Sequence, residues 1–257
     1  MPFTDLTRLA RRQHGVVTRA QALDALTRHQ LDHAIATTRL EPVHRGVYRV
    51  AGSPESWEQA AFAAALAGGA GAVVSFLAGA HLWNLAGFWE QARVTITVPY
   101  GRRARLHDVT VHDSQILDGP HVDRRHGIPV TSVARTLCDL TACCWPNQVG
   151  RALDDALRRK LTSLRSVQTV FDDLATRGRR RSTMMRTLLA ERGPGFDFHS
   201  SRTAFDDRYE RDRALRIAGW LIVYVTHRTS RPRLVADVRQ ALELRGWPAL
   251  PTLLSTK

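Results

Sequence analysis

A chain of 257 residues that is 44% hydrophobic can bury a full core, as one large domain or as two to three small ones. Its 37 Lys and Arg stand against 24 Asp and Glu, a formal net charge of +13 at pH 7, which is the electrostatic footprint of a nucleic-acid binder. No run of eighteen apolar residues is present and the N-terminal MPFTDLTRLARR lacks the hydrophobic core of a signal peptide, so a cytoplasmic protein is expected.

The positive charge is almost all arginine, since Lys160 and Lys257 are the only lysines, and it is unevenly placed. Residues 1–50 carry 8 bases and 4 acids, 51–149 carry 7 and 8, 150–192 carry 11 and 5, and 193–257 carry 11 and 7. A GC-rich coding bias puts arginine where lysine would stand; it does not leave a neutral middle between two basic ends. Cys138, Cys143 and Cys144 are odd in number and clustered, which fits neither a disulfide framework nor a common zinc spacing, so three reduced and at least partly buried thiols are expected.

Leu6, Leu9 and Ala10 give an apolar stripe at helical spacing that stops at His14-Gly15, a C-terminal helix signal. Thr18 caps a second helix with Gln21 three residues on, a capping box, and Ala22, Leu23 and Leu26 supply the apolar face. Thr27 then caps a third helix, Arg28 to about Thr38. It keeps Leu31, Ala34 and Ile35 inside and presents Arg28, His29, Asp32, His33 and Ala36 outside. Leu40 to Val50 alternates around His44-Arg45 and reads as a small hairpin with a basic tip. Together these segments predict a winged helix-turn-helix in residues 1–52. In such a module the third helix enters the major groove and flanking arginines neutralise phosphates. Arg28, His29 and His33 are the candidates for base edges, and Arg19, Arg39 and Arg45 for phosphate. A three-helix bundle with a hairpin also serves as a protein-binding module, and the net charge favours DNA.

The segments LTRLARRQHGVVTRAQAL and RGVYRVAG, with His44 to Gly52 the most specific part, resemble the N-terminal domain of AbiEi-type antitoxins. That resemblance covers about fifty residues. It implies a transcriptional regulator of a type IV toxin-antitoxin pair that binds promoter repeats in double-stranded DNA, with a nucleotidyltransferase-like toxin as genetic partner.

Residues 53–149 predict an α/β arrangement. It comprises a helix from Ser53 to Ala67 opened by Ser53-Pro54, a glycine turn at 68–71, a helix from Ser75 to Leu85, and strands at Ala92–Pro99 and Val109–Val111 joined as a hairpin. A strand then passes into a helix at Ala134–Leu140 with Thr131 or Ser132 at the cap. His107, His112, His121 and His126 lack the paired spacing of a zinc site and are expected at the surface or in hydrogen bonds. His29 and His33 are four apart but have no third ligand nearby, which favours a groove-facing pair over a metal pair. Ser75 lacks the flanking glycines of a nucleophile elbow, and Trp83, Phe88 and Trp89 read as core. Residues 147–192 predict helices at 149–159, 163–176 and 182–192, with four arginines in five residues at 177–181, a phosphate clamp or a solvated loop.

The tail is distinct. His199, Phe205, Arg208, Arg211, Asp212, Leu215, Gly219, Trp220 and Thr226 resemble the closing helix and strand of the DUF559 group of very-short-patch-repair-like endonucleases. Members need carboxylates to hold Mg²⁺, and the segment that carries them in the family has no counterpart between Leu188 and His199. Asp197 and His199 are the candidate catalytic residues if the tail is active. The expected fold class is therefore mixed and helix-rich α/β. It comprises a winged helix-turn-helix (1–52), an AbiEi-like α/β and helical middle (53–192), and an incomplete restriction-endonuclease-like remnant (193–257). The expected function is a DNA-binding, antitoxin-like regulator with no cofactor. An Mg²⁺-dependent endonuclease and a protein-binding antitoxin or scaffold are the alternatives.

Overall fold

The computed structural model describes residues 2–89, 93–102, 104–176 and 183–192, together with positions 235 and 238. The chain divides into two units, Met1–Pro194 and Gly195–Lys257, and every element named below belongs to the first. The fold is mixed α/β with two sheets. Among the described residues no helix is long and apolar enough to cross a membrane.

The first module runs α1 (Pro2–Arg12), β1 (Val16–Thr18), α2 (Arg19–Ala25), α3 (Arg28–Ala36), β2 (Leu40–His44) and β3 (Val47–Val50). The chain turns out of α1 at His14 and Gly15, both at positive φ (53° and 86°), a conformation glycine adopts without steric cost. The three strands are antiparallel in the order β1-β3-β2. Because side chains alternate across a strand, Val17, Tyr48 and Val50 fall on one face of this sheet. They close a small core with Leu6, Ala10, Ala22, Leu26, Leu31, Ala34 and Leu40. Val16 and Val47 fall on the other face and belong to the larger core of the molecule.

That second face is covered by α4 (Trp57–Gly68), which packs against β1, β2 and β3 on one side and against a five-stranded sheet on the other. A helix between two sheets must be apolar all round and thin. The run Ala61-Phe62-Ala63-Ala64-Ala65 is buried at every position. The larger sheet is built from β4 (Val73–Val74), β5 (Thr95–Pro99), β6 (Thr110–Ser114), β7 (Val122–Arg125) and β8 (Ile128–Thr131), in the order β6-β5-β4-β8-β7. Between β4 and β5 lies α5 (Phe76–Leu82). After β8 come α6 (Val133–Leu140), α7 (Pro146–Arg158), α8 (Leu164–Thr176) and α9 (Thr183–Glu191). Helices α5 and α6 pack together, and α7 and α8 pack on α6.

Several expectations are corrected. The hairpin expected between the strands at 92–99 and 109–111 does not form: β5 and β6 run parallel, with Thr95 opposite Thr110 and Pro99 opposite Ser114. The connection reverses the chain twice. One reversal is at Gly101 (φ 83°), inside the turn closed by the Arg102 N–H···O=C Pro99 bond, and the other is at Asp108 (φ 57°). Helix α4 begins at Trp57, not at Ser53-Pro54, because Ser56 supplies the cap by accepting from the Gln59 N–H. Trp89 is 62% exposed and so is no core residue, whereas Trp83 and Phe88 are buried. Of the thiols, Cys138 is buried and Cys144 half-buried, but Cys143 is exposed. Strand β7 was not expected. It pairs with β8 across His126-Gly127, both at positive φ (50° and 80°), the geometry of a two-residue hairpin turn. The arginine cluster at 177–181 and the endonuclease-like tail, with Asp197 and His199, lie outside the described residues.

Candidate nucleic-acid interface

Helices α2 and α3 are both opened by complete capping boxes. Thr18 Oγ1 accepts from the Gln21 N–H at 3.2 Å while Gln21 Oε1 accepts from the Thr18 N–H at 2.9 Å. Thr27 and Gln30 repeat the pair at 3.2 and 2.9 Å. Each box satisfies two backbone donors that a helix start otherwise leaves open. The first turn of α3 is thus fixed by its own sequence. On it stand Arg28 and His29, exposed, and Asp32 and His33 follow on the same outward side, while Leu31 and Ala34 are buried beneath. Among the described residues Arg28, His29, His33 and Arg45 form no ion pair.

The three arginines expected at phosphate are held differently. Arg19 opens α2, its backbone N–H donating to Gly46 O at 2.8 Å, so it sits against the hairpin turn, and its guanidinium donates to the Tyr48 hydroxyl at 3.2 Å. The Arg39 guanidinium lies over the Phe3 ring, 3.8 Å from its centroid, a cation–π contact that ties the end of α3 to α1. Arg45 is exposed in the turn between β2 and β3. His44 beside it is half-buried. Burial first, and His107 second, lower its pKa below 6.5, so at pH 7 the hairpin tip carries its charge on Arg45 alone.

The hairpin is braced from one side by a residue that sequence reasoning passed over. Arg49 on β3 donates from Nε to Glu41 Oε2 at 2.9 Å across the β2–β3 pair and pairs with Glu55 before α4. Those bonds, to Glu55 and then to Glu41, hold its pKa above the ordinary arginine value. Glu41 and Arg49 are direct cross-strand partners, a contact legible once the register is known. Around them a cleft of about 670 Å³ opens between the hairpin, the start of α4 and the β5–β6 side, lined by Trp57, His107 and Asp108 among others. Its carboxylates all have partners: Glu41 and Glu55 pair with Arg49, and Asp108 lies 2.6 Å from His107 Nδ1 and 3.8 Å from an Arg93 nitrogen.

The module is also keyed to the α/β core. Buried Gln59 on α4 donates from Nε2 to His14 O at 2.9 Å and Pro54 O at 3.0 Å, and His14 Nε2 lies 2.8 Å from His126 O in the β7–β8 turn. A second polar cluster lies deeper. Arg135 on α6, 4% exposed, donates from Nε to both oxygens of Asp139, from Nη1 to Ile116 O at 2.8 Å, and from Nη2 to Ser114 Oγ at 3.1 Å. It also donates to His121 Nδ1 at 3.2 Å, which leaves the ring proton on Nε2 facing Asp173 Oδ2 at 3.2 Å. These bonds tie the 119–121 turn to α6 and α8.

No family model and no curated protein matches the chain. Among solved structures it is similar to the RV2827C protein from Mycobacterium tuberculosis, at 20% identity over 74% of this chain and 80% of that one. The TM-score is 0.35, too low to carry a fold assignment.

Proposed function

We propose that residues 1–52 are a winged helix-turn-helix that binds double-stranded DNA, and that the chain acts as an antitoxin-like transcriptional regulator of the kind the AbiEi resemblance implies. The observation that carries this is the doubly capped α2–α3 pair. Its second helix offers Arg28, His29 and His33 to solvent beside a hairpin tipped by Arg45. A helix of this diameter fits the major groove, where a first-turn arginine reaches guanine N7 and O6, and arginines at the hairpin and helix ends meet phosphates. Arg19 and Arg39, propped by Tyr48 and Phe3, are pre-positioned for such contacts at little further entropic cost.

The test is retention of the chain's own promoter DNA by the intact protein, measured by fluorescence anisotropy from low to physiological salt. Expected are a falling log K against log salt and a slope reduced by about 0.9 for each phosphate contact removed, as in Arg45→Ala. Arg28→Ala weakens binding with loss of sequence preference. Absence of binding at low salt excludes the DNA role. The endonuclease alternative has its own assay: Mg²⁺-dependent nicking that Asp197→Ala abolishes would replace regulator with enzyme.

A further inference from the structure

The loop between α6 and α7 carries Thr141-Ala142-Cys143-Cys144-Trp145. The N–H groups of Cys143 and Cys144 both donate to Leu140 O, at 3.1 and 2.9 Å. This wraps the chain around the helix end and turns the two neighbouring side chains to the same side. Their Sγ atoms stand 3.8 Å apart. Cys143 is exposed and Cys144 half-buried, so the pair is open to solvent on one side and backed by protein on the other. None of the DNA-facing residues touches it.

Two chemistries use a thiol pair, and the geometry separates them. A disulfide needs sulfurs about 2.05 Å apart on residues whose Cα atoms ordinarily stand about 4.4–6.8 Å from each other. Adjacent residues on a trans peptide are fixed at about 3.8 Å, so closing the ring strains the backbone and leaves a bond that is easily reduced. A bridging soft cation has no such conflict. Two thiolates bound at about 2.3 Å with a tetrahedral angle between them stand roughly 3.8 Å apart, the separation already present.

We propose that Cys143 and Cys144 form a two-thiolate seat for one soft divalent cation of the Zn²⁺ and Cd²⁺ class. Water or a small-molecule thiol completes the tetrahedron on the solvent side. Among the described residues no group of three or more His, Cys, Asp or Glu is placed to hold a metal, so the seat is open, not a closed structural site. Binding forms two metal–sulfur bonds and releases the two thiol protons; nothing is oxidised. Cys138 takes no part. It is 4% exposed within α6, and burial holds its thiol far above the usual range.

The full-length reduced chain, titrated with Cd²⁺, reads this directly through the thiolate-to-metal charge-transfer absorption. Expected are saturation near one equivalent, release of up to two protons in weak buffer, and an unchanged titration in Cys138→Ser. Cys143→Ser and Cys144→Ser, checked for native circular dichroism, each lose the stoichiometric band. The proposal is overturned if the band is absent in the native chain, saturates only at large excess, or survives in the Cys143→Ser/Cys144→Ser double variant. DNA binding has no bearing on any of these outcomes.

Discussion

Thr27→Ala is the sharpest probe of the α3 interface, because it changes no group proposed to touch DNA. The substitution removes the Thr27 Oγ1 acceptor for the Gln30 N–H and with it the reason for Gln30 to fold back onto the Thr27 N–H. Both bonds are at an exposed helix start, where water replaces them in part, so the cost is about 1 kcal/mol, within the range of about 0.5–2 for lost caps. The small core under α3, with Leu31 fully buried, is untouched, so the loss falls on the first turn, which carries Arg28 and His29. If that turn must be formed in the complex, its ordering cost moves into the binding equilibrium, and 1 kcal/mol corresponds to about fivefold at 25 °C. Anisotropy titrations with promoter DNA at fixed salt therefore give a two- to fivefold weaker Kd for Thr27→Ala and a native one for Thr27→Ser. Hydrogen exchange reports faster amides at residues 28–30 in the alanine variant. Faster exchange there with unchanged DNA affinity would refute the placement of α3 in the interface.

Three further outcomes follow from the interior. Arg135→Ala leaves Asp139, 2% exposed, without its guanidinium partner, and denaturant unfolding should register a loss of about 3–5 kcal/mol. His121 has a pKa lowered below 6.5, by burial first and against the opposing pull of Asp173. A depressed folded-state pKa means its contribution to stability is complete above pH 6.5 and is lost as pH falls from there through the folded value. The urea midpoint should drop between pH 7.5 and pH 5.5 in the native chain and drop less in His121→Asn. Gly15→Ala places a Cβ 2.5 Å from Ser53 Cβ at a φ of +86°, so thermal unfolding should show a destabilisation of more than about 1 kcal/mol. A wild-type melting temperature would mean the α1–β1 turn is not held as described.

What could be read from the sequence was what short-range chemistry decides. The Thr18–Gln21 and Thr27–Gln30 boxes and the outward side of α3 from Arg28 to Ala36 follow from residues three or four apart, and the α6 start is narrowed to Thr131 or Ser132, of which Ser132 is the cap. What escaped is pairing between distant segments. Val73-Val74 is too short to show any period, yet it forms β4 at the centre of the sheet between β5 and β8. The parallel β5–β6 pair was hidden because two turn signals, Gly101 and His107-Asp108, read together as one reversal. His126-Gly127 was a turn signal that could have revealed β7. The bracing of Arg49 by Glu41 and Glu55, and of Arg19 by Tyr48, depends on a register no local pattern fixes.

The position of α4 bears on how the DNA-facing module can be handled and how it can move. This alanine-rich helix packs against β1 and β3, the strands that carry Val16 and Val47 into the larger core. A fragment ending at residue 52 would present those side chains to water on an uncovered sheet face, a surface prone to self-association. Proteolysis between residues 52 and 57 should therefore yield an insoluble N-terminal piece, not a free reading head. In the intact chain, a displacement of the five-stranded sheet reaches the small module by two routes, through α4 and through the His14–His126 contact.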